Sequence, residues 1–147
     1  MMKTIKILTM TLLFAFQAVA CSGGDKVITV EALPAAAQTL IGKYFGGKQV
    51  SLVKKDKEGL KTYYDVVMAD GVKLEFDSKG EWRDIEDKQN GVPAELVPAE
   101  ISAYVAQNYT GQRILKIDRT RTGFEIDLAN GLELTFNKQF KLTDIDD

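Results

Sequence analysis

The sequence predicts an α+β protein in two layers, a tandem repeat of one helix followed by a four-stranded antiparallel sheet. Three observations predict it. Tyr64 to Phe76, YDVVMADGVKLEF, alternates apolar and polar residues on both sides of Asp70-Gly71. Phe124 to Phe136, FEIDLANGLELTF, repeats that pattern around Asn130-Gly131. Each hairpin is preceded by an apolar residue and proline, Leu33-Pro34 and Val97-Pro98, that open a helical pattern. Alternation with period two marks strands with one buried and one wet face. Asp-Gly and Asn-Gly suit a two-residue primed turn. Recurrence at a fixed offset marks an internal repeat.

The chain opens on a targeting segment. Lys3 and Lys6 precede an apolar run from Ile7 to Ala20, and Ala18-Val19-Ala20-Cys21 follows. That order is a signal peptide over residues 1–20. The run is too short, and too abruptly followed by polar residues, to be a good membrane span. Cleavage before Cys21 suits an ordinary signal peptidase. It also suits a lipobox, with Cys21 carrying a diacylglyceryl anchor. The second reading is favoured because Cys21 is the only cysteine and a lone thiol is a liability in an oxidising compartment. Residues 21–27 then form a tether with Ser22-Gly23-Gly24 at its start. The expected address is the bacterial cell envelope, in the periplasm or on the outer membrane as a lipoprotein.

The first repeat is expected over residues 28–87. Val27 to Val30 is either an edge strand or a lead-in. Pro34 stands where a missing amide costs nothing, and Ala36, Ala37, Leu40, Ile41, Tyr44 and Phe45 form one apolar helix face. Gly46-Gly47 stops the helix. A strand from Val50 gives way to a charged turn at Lys54 to Gly59. Strands follow at Leu60 to Ala69, Val72 to Asp77 and Trp82 to Ile85. Residues 88–93 are a linker. Over residues 94–147 the series restarts: a helix bearing Ile101, Tyr104, Val105 and Tyr109, a strand to Ile117, the second hairpin, and a last strand to Ile145. Leu33 matches Val97, and Val53 matches Ile117, at an offset of 64; Tyr64 matches Phe124, and Ile85 matches Ile145, at 60. Four extra residues therefore belong to the first half, in the loop near Lys57.

Composition excludes several functions. Without residues 1–20, 127 residues remain with 17 basic and 21 acidic side chains, a net charge of −4. That lacks the basic footprint of a nucleic-acid binder. The sequence has no histidine, which rules out Ser-His-Asp and Cys-His catalysis and the commonest zinc ligand. One cysteine cannot make a Cys-x-x-Cys pair, and no dinucleotide or P-loop motif occurs. No cofactor is expected, and the acidic clusters at Asp84 to Asp87 and Asp144 to Asp147 lack the order of an EF-hand. They are expected to be solvated strand ends.

The polar faces of the two sheets differ. The second half presents Glu125, Asp127, Glu133 and Thr135, whereas the first presents Asp65, Val67, Lys73 and Glu75, flanked by Tyr63 and Trp82. Tyr63, Val67, Lys73, Glu75 and Trp82 are thus the candidate partner-binding face. The alternative for Trp82 is the sheet edge or the junction between halves.

The helix openings Leu33-Pro34-Ala35-Ala36 and Val97-Pro98-Ala99-Glu100, the two hairpins, and the endings FDSKGEWRDIED and FNKQFKLTDIDD carry a family resemblance. From about Ile28 to Asp147 the chain resembles the beta-lactamase-inhibitor-like, PepSY-like envelope proteins of Bacteroidetes. The resemblance implies tandem helix-plus-four-strand units and no catalytic residue set. It implies a non-enzymatic exported binding module, an inhibitor or chaperone of another envelope or secreted protein. The alternative is an envelope protein that binds a small ligand or metal ion.

Overall fold

The computed structural model describes residues 24–147. The candidate lipidation site Cys21 and the signal segment lie outside them. Nine strands run in chain order through one antiparallel sheet: β1 (Lys26–Val27), β2 (Val50–Glu58), β3 (Lys61–Met68), β4 (Lys73–Asp77), β5 (Trp82–Glu86), β6 (Ile114–Arg119), β7 (Gly123–Leu128), β8 (Glu133–Asn137) and β9 (Leu142–Asp146). Helix α1 (Ala35–Phe45) precedes β2, and α2 (Ala99–Asn108) precedes β6. This is the α+β two-layer architecture expected. The two expected sheets are one, because β5 pairs with β6 through Asp84 and Asp118, Ile85 and Ile117, and Glu86 and Lys116.

Both helices dock on the same side. Val53, Val66, Leu74, Ile85, Ile117, Ile126, Leu134 and Ile145 stand opposite one another in an unbroken row from β2 to β9. Residues directly opposite share a face. Ala37, Ile41 and Phe45 of α1 and Ile101 and Val105 of α2 join the row from Val53 to Leu134 in one buried cluster. Tyr104 of α2 meets Phe136 of β8 edge to face, ring centres 5.4 Å apart. At α1, the β4–β5 turn lies against the helix start. A Cβ on Gly80 would stand 2.8 Å from Pro34 Cβ and 2.9 Å from the Ala37 nitrogen.

Three local expectations need correction. The duplicated turns are three-residue loops. Gly71 N–H donates to Met68 C=O and Met68 N–H to Val72 C=O, with Ala69-Asp70-Gly71 between; Leu128 to Leu132 does the same. Only the glycines take positive φ, 94° at Gly71 and 93° at Gly131. Asp70 and Asn130 instead accept the amide two residues on, at 3.3 and 3.1 Å. A primed turn needs positive φ at the first position as well. Second, Lys54 to Glu58 is strand, and the turn is Gly59-Leu60. Half-exposed antiparallel strands tolerate charge, and Lys55 lies opposite Tyr64 with its ammonium 5.9 Å from the ring centre. Third, the four extra residues lengthen a hairpin instead of a loop. β2 and β3 have nine and eight residues, where β6 and β7 have six each. β1 pairs with β2 just before the added length, Lys26 against Lys55 and Val27 against Lys54.

The linker is tightly held. Asp87 is buried, and its Oδ1 accepts the amides of Gln89 and Asn90 at 3.1 and 2.9 Å. Lys48 Nζ lies 3.6 Å from Asp87 Oδ2 and also pairs with Asp70. That ammonium joins the α1–β2 loop, the first hairpin turn and the linker. Asp70 is held below the usual carboxylate range by it.

Candidate functional site

The helix-free face of the sheet is where chemistry collects. Adjacent to the apolar row, a second row runs Lys54, Asp65, Glu75, Asp84, Asp118, Glu125, Thr135 and Asp144. Five consecutive strands, β3 to β7, each contribute a carboxylate. Alternation puts these side chains opposite the core. The next row is Leu52, Val67, Lys73, Glu86, Lys116, Asp127, Glu133 and Asp146. Its pattern is apolar at the first two strands and charged thereafter.

Leu52 and Val67 are cross-strand partners and both are half-buried. They line a hollow of about 250 Å³ together with Lys54, Asp65, Lys73, Glu75 and Asp84. At the offsets of 64 and 60, their counterparts are Lys116 and Asp127, also opposite each other. An apolar pair in one half is thus a charge pair in the other. Tyr63, likewise, corresponds to Gly123. Divergence is concentrated on this face of the first half.

Burial and neighbouring charge tune the carboxylates. Asp84 is pushed up to about 6, from 3.8, chiefly by burial; Lys116 opposes the rise and Asp118 adds to it. Its Oδ2 lies 3.5 Å from Lys116 Nζ, while Oδ1 is buried without a hydrogen-bond partner. Asp65 and Glu75 are also raised, burial being the main cause in each. Burial pulls the Lys116 ammonium down, and Asp84, Asp127 and Asp118 more than reverse it.

The predicted residues separate into two groups. Tyr63, Val67, Lys73 and Glu75 share the open face. The Arg83 guanidinium lies over Tyr63, 4.7 Å from its ring centre, and its Nε is 3.8 Å from Glu75. Lys73 Nζ reaches Glu86 at 3.6 Å. Trp82 belongs elsewhere. It stands opposite Phe76, is 7% exposed, and belongs to the core cluster. A bulge between Glu75 and Phe76 shifts the register, so Trp82 and Ile85, three apart, face the same way. Arg119 of β6 lays its guanidinium 3.7 Å from the indole centre. Trp82 is therefore at the junction between halves. A groove of about 560 Å³ opens beside it at the strand ends, lined by Leu60, Lys61, Arg83, Arg119 and Arg121 among others. Leu52, Asp84 and Lys116 were missing from the candidate set. The offset of Leu52 against Lys116 was the available signal for them.

Among the described residues, no three Asp, Glu, His or Cys side chains are placed to hold a metal ion. No helix among them is long and apolar enough to cross a membrane. Fold and site together define an open-sheet α+β protein in which a helix followed by four strands occurs twice, and whose two halves differ on the helix-free face. Residues 62–144 match the family described as "Putative beta-lactamase-inhibitor-like, PepSY-like". The chain belongs to that family. It is 40% identical to a "putative periplasmic protein" of the DUF2874 family from Bacteroides vulgatus ATCC 8482, with a TM-score of 0.83 over 86% of this chain and 100% of that one. A second protein of that strain, described as a "putative periplasmic protein of unknown function", is 43% identical, with a TM-score of 0.80 over 84% and 100% of the two chains. A "putative calcium-regulated periplasmic protein" from Bacteroides thetaiotaomicron is 39% identical, with a TM-score of 0.80 over 84% and 97%. No curated protein matches the sequence. All three relatives are described as periplasmic, which is consistent with an exported, envelope location for this chain.

Proposed function

We propose that the chain is a binding module that holds another exported protein on the helix-free face of its first half, as an inhibitor or a chaperone. The observation that carries this is the Leu52–Val67 pair. It forms an apolar floor ringed by Lys54, Asp65, Lys73, Glu75 and Asp84, where the second half has Lys116 and Asp127. A small apolar centre within a polar rim is the arrangement of a binding hot spot. The partner it fits offers one aliphatic or aromatic side chain flanked by charges of both signs. Tyr63, supported by Arg83, borders that surface.

The test converts the first half toward the second. Leu52→Lys with Val67→Asp restores the charge pair of β6 and β7. Immobilised wild-type protein should retain a partner from envelope extract that the double variant, equally folded by circular dichroism, does not. Equal retention by both overturns the assignment to this face. Placement on the membrane through Cys21 belongs to the same proposal, and mass spectrometry of the mature N-terminus decides it by the presence or absence of a lipid mass.

The second reading is a divalent cation held by the carboxylate row. The calcium-regulated description of one relative favours it; the carboxylates from Asp65 to Glu125 are not placed as ligands in this arrangement and would have to converge on the ion. Calorimetric titration with calcium, against Asp84→Asn and Asp118→Asn, separates the readings: a protein partner does not require the ion. Calcium binding that survives both substitutions removes the row from consideration.

A further inference from the structure

The apolar row of the core ends abnormally at β9. From Val53 to Leu134, seven residues in register are between 0% and 3% exposed, whereas Ile145, the eighth, is 46% exposed. Its counterpart in the first half, Ile85, is 0% exposed because β6 lies beside it. The opposite margin is covered too: β1 pairs with β2, and Ile28 N–H donates to Val53 C=O at 3.0 Å. Among the described residues, no strand pairs with the outer side of β9.

The duplication shows what such a strand looks like. β5 and β9 occupy equivalent places, and β5 accepts β6 antiparallel with Ile117 opposite Ile85, Lys116 opposite Glu86 and Asp118 opposite Asp84. Transferred to β9, these positions face Ile145, Asp146 and Asp144. A second copy of β9 is a poor occupant, because its own Asp144 and Asp146 would meet the same charges. We infer that β9 accepts, by strand addition, an extended segment of another exported protein with the pattern cation, apolar residue, cation. The apolar side chain covers Ile145 and the cations pair with Asp144 and Asp146, while the backbone of β9 supplies the ladder, the Ile145 N–H exchanging its bond to Asp144 Oδ1 for a carbonyl of the added strand. This surface is independent of the Leu52–Val67 hollow: the two lie at opposite ends of the sheet.

The probe comes from the chain itself. It is a blocked peptide of residues 113–120 carrying Asp118→Lys, which places cations on both sides of Ile117. Its control carries Lys116→Glu and keeps Asp118. With wild-type protein and 15N detection, the basic peptide should shift the amides of residues 142–146 and slow their hydrogen exchange. It should bind at least tenfold more tightly than the acidic control. Asp146→Lys, which leaves Asp144 in place, should abolish that preference. Ile145→Thr, a change at a half-exposed position, should weaken the basic peptide about fivefold, as loss of a partly covered apolar contact implies. Shifts centred on residues 52–75, equal affinity for the two peptides, or no saturation at millimolar peptide each overturn the inference. So does self-association abolished by Ile145→Thr, which would make a second copy the occupant. The comparison of the two peptides on unmodified protein stands even where a variant fails to fold.

Discussion

Asp84→Asn should stabilise the protein at neutral pH. The folded state holds the Asp84 proton more tightly than the unfolded chain, with a pKa near 6 against 3.8. Such a group favours folding fully below about pH 4, and its contribution is lost as the pH rises through 6. Keeping it ionised at pH 7.5 costs at most about 3 kcal/mol, from about two pKa units at 1.36 kcal/mol each. The side chain is 32% exposed, so water screening reduces this to about 1–2 kcal/mol. The attraction of Lys116 for the ionised group is already contained in that pKa and is not subtracted again, so the lower end of this range is the expected gain. The net gain at pH 7.5 is about 1 kcal/mol, or a melting temperature higher by about 3–5 °C in a domain of this size.

The assay is urea unfolding of both proteins at pH 4, 5, 6 and 7.5. The gap should open with rising pH and close near pH 4, where wild-type Asp84 is protonated. Asp70 works oppositely, its lowered pKa adding stability that is lost as the pH falls below about 4. Both proteins retain Asp70, so it cancels in the difference. A variant less stable than wild type at pH 7.5, or a gap constant across the series, refutes the account of Asp84. The first result would mean that the Lys116 pair outweighs desolvation, the second that Asp84 is ordinarily solvated.

Gly80→Ala should cost about 2–4 kcal/mol in thermal or urea unfolding, because φ is +83° and the new Cβ meets the start of α1. Asp87→Ala should cost about 1–3 kcal/mol by the same assay, since the amides of Gln89 and Asn90 lose their acceptor and Lys48 one of its partners. Arg119→Ala should shift the emission of Trp82, the single tryptophan, to longer wavelength and destabilise by about 1–2 kcal/mol, the guanidinium being its cover at the junction. An unshifted spectrum would show that the indole is shielded from elsewhere.

The inner face was legible because its code is simple. Val66, Leu74, Ile126 and Leu134 are apolar at every second position, and burial of one face leaves no other register open. Trp82 lies where the junction reading of the sequence puts it, although simple alternation sets it beside the open face. A bulge between β4 and β5 inserts one residue, and strict alternation then assigns every residue before it to the wrong side. The charged stretch from Lys54 to Glu58 was misjudged for a related reason. Strand pairing satisfies backbone groups whatever the side chains are, and its half-exposed face tolerates lysine opposite tyrosine or threonine. The carboxylate row could not be seen at all in one dimension. Asp65, Glu75, Asp84, Asp118 and Glu125 are spread over 61 positions and become neighbours only through the β5–β6 pairing that fuses the halves.

That fusion also explains why the two copies diverged as they did. Ile85 and Ile117 had to stay apolar, since each covers the other at the seam. On the open face no such demand exists. There the first copy carries Tyr63, Leu52 and Val67 where the second carries Gly123, Lys116 and Asp127. Half-buried apolar side chains on a solvent-facing sheet surface are unfavourable to leave wet, by about 25 cal/mol for each Å² not covered. The second half has Lys116 and Asp127 opposite each other there, with the Lys116 ammonium on Asp84. The Leu52–Val67 pair is what the proposed partner would cover, on the side of the sheet that no helix reaches.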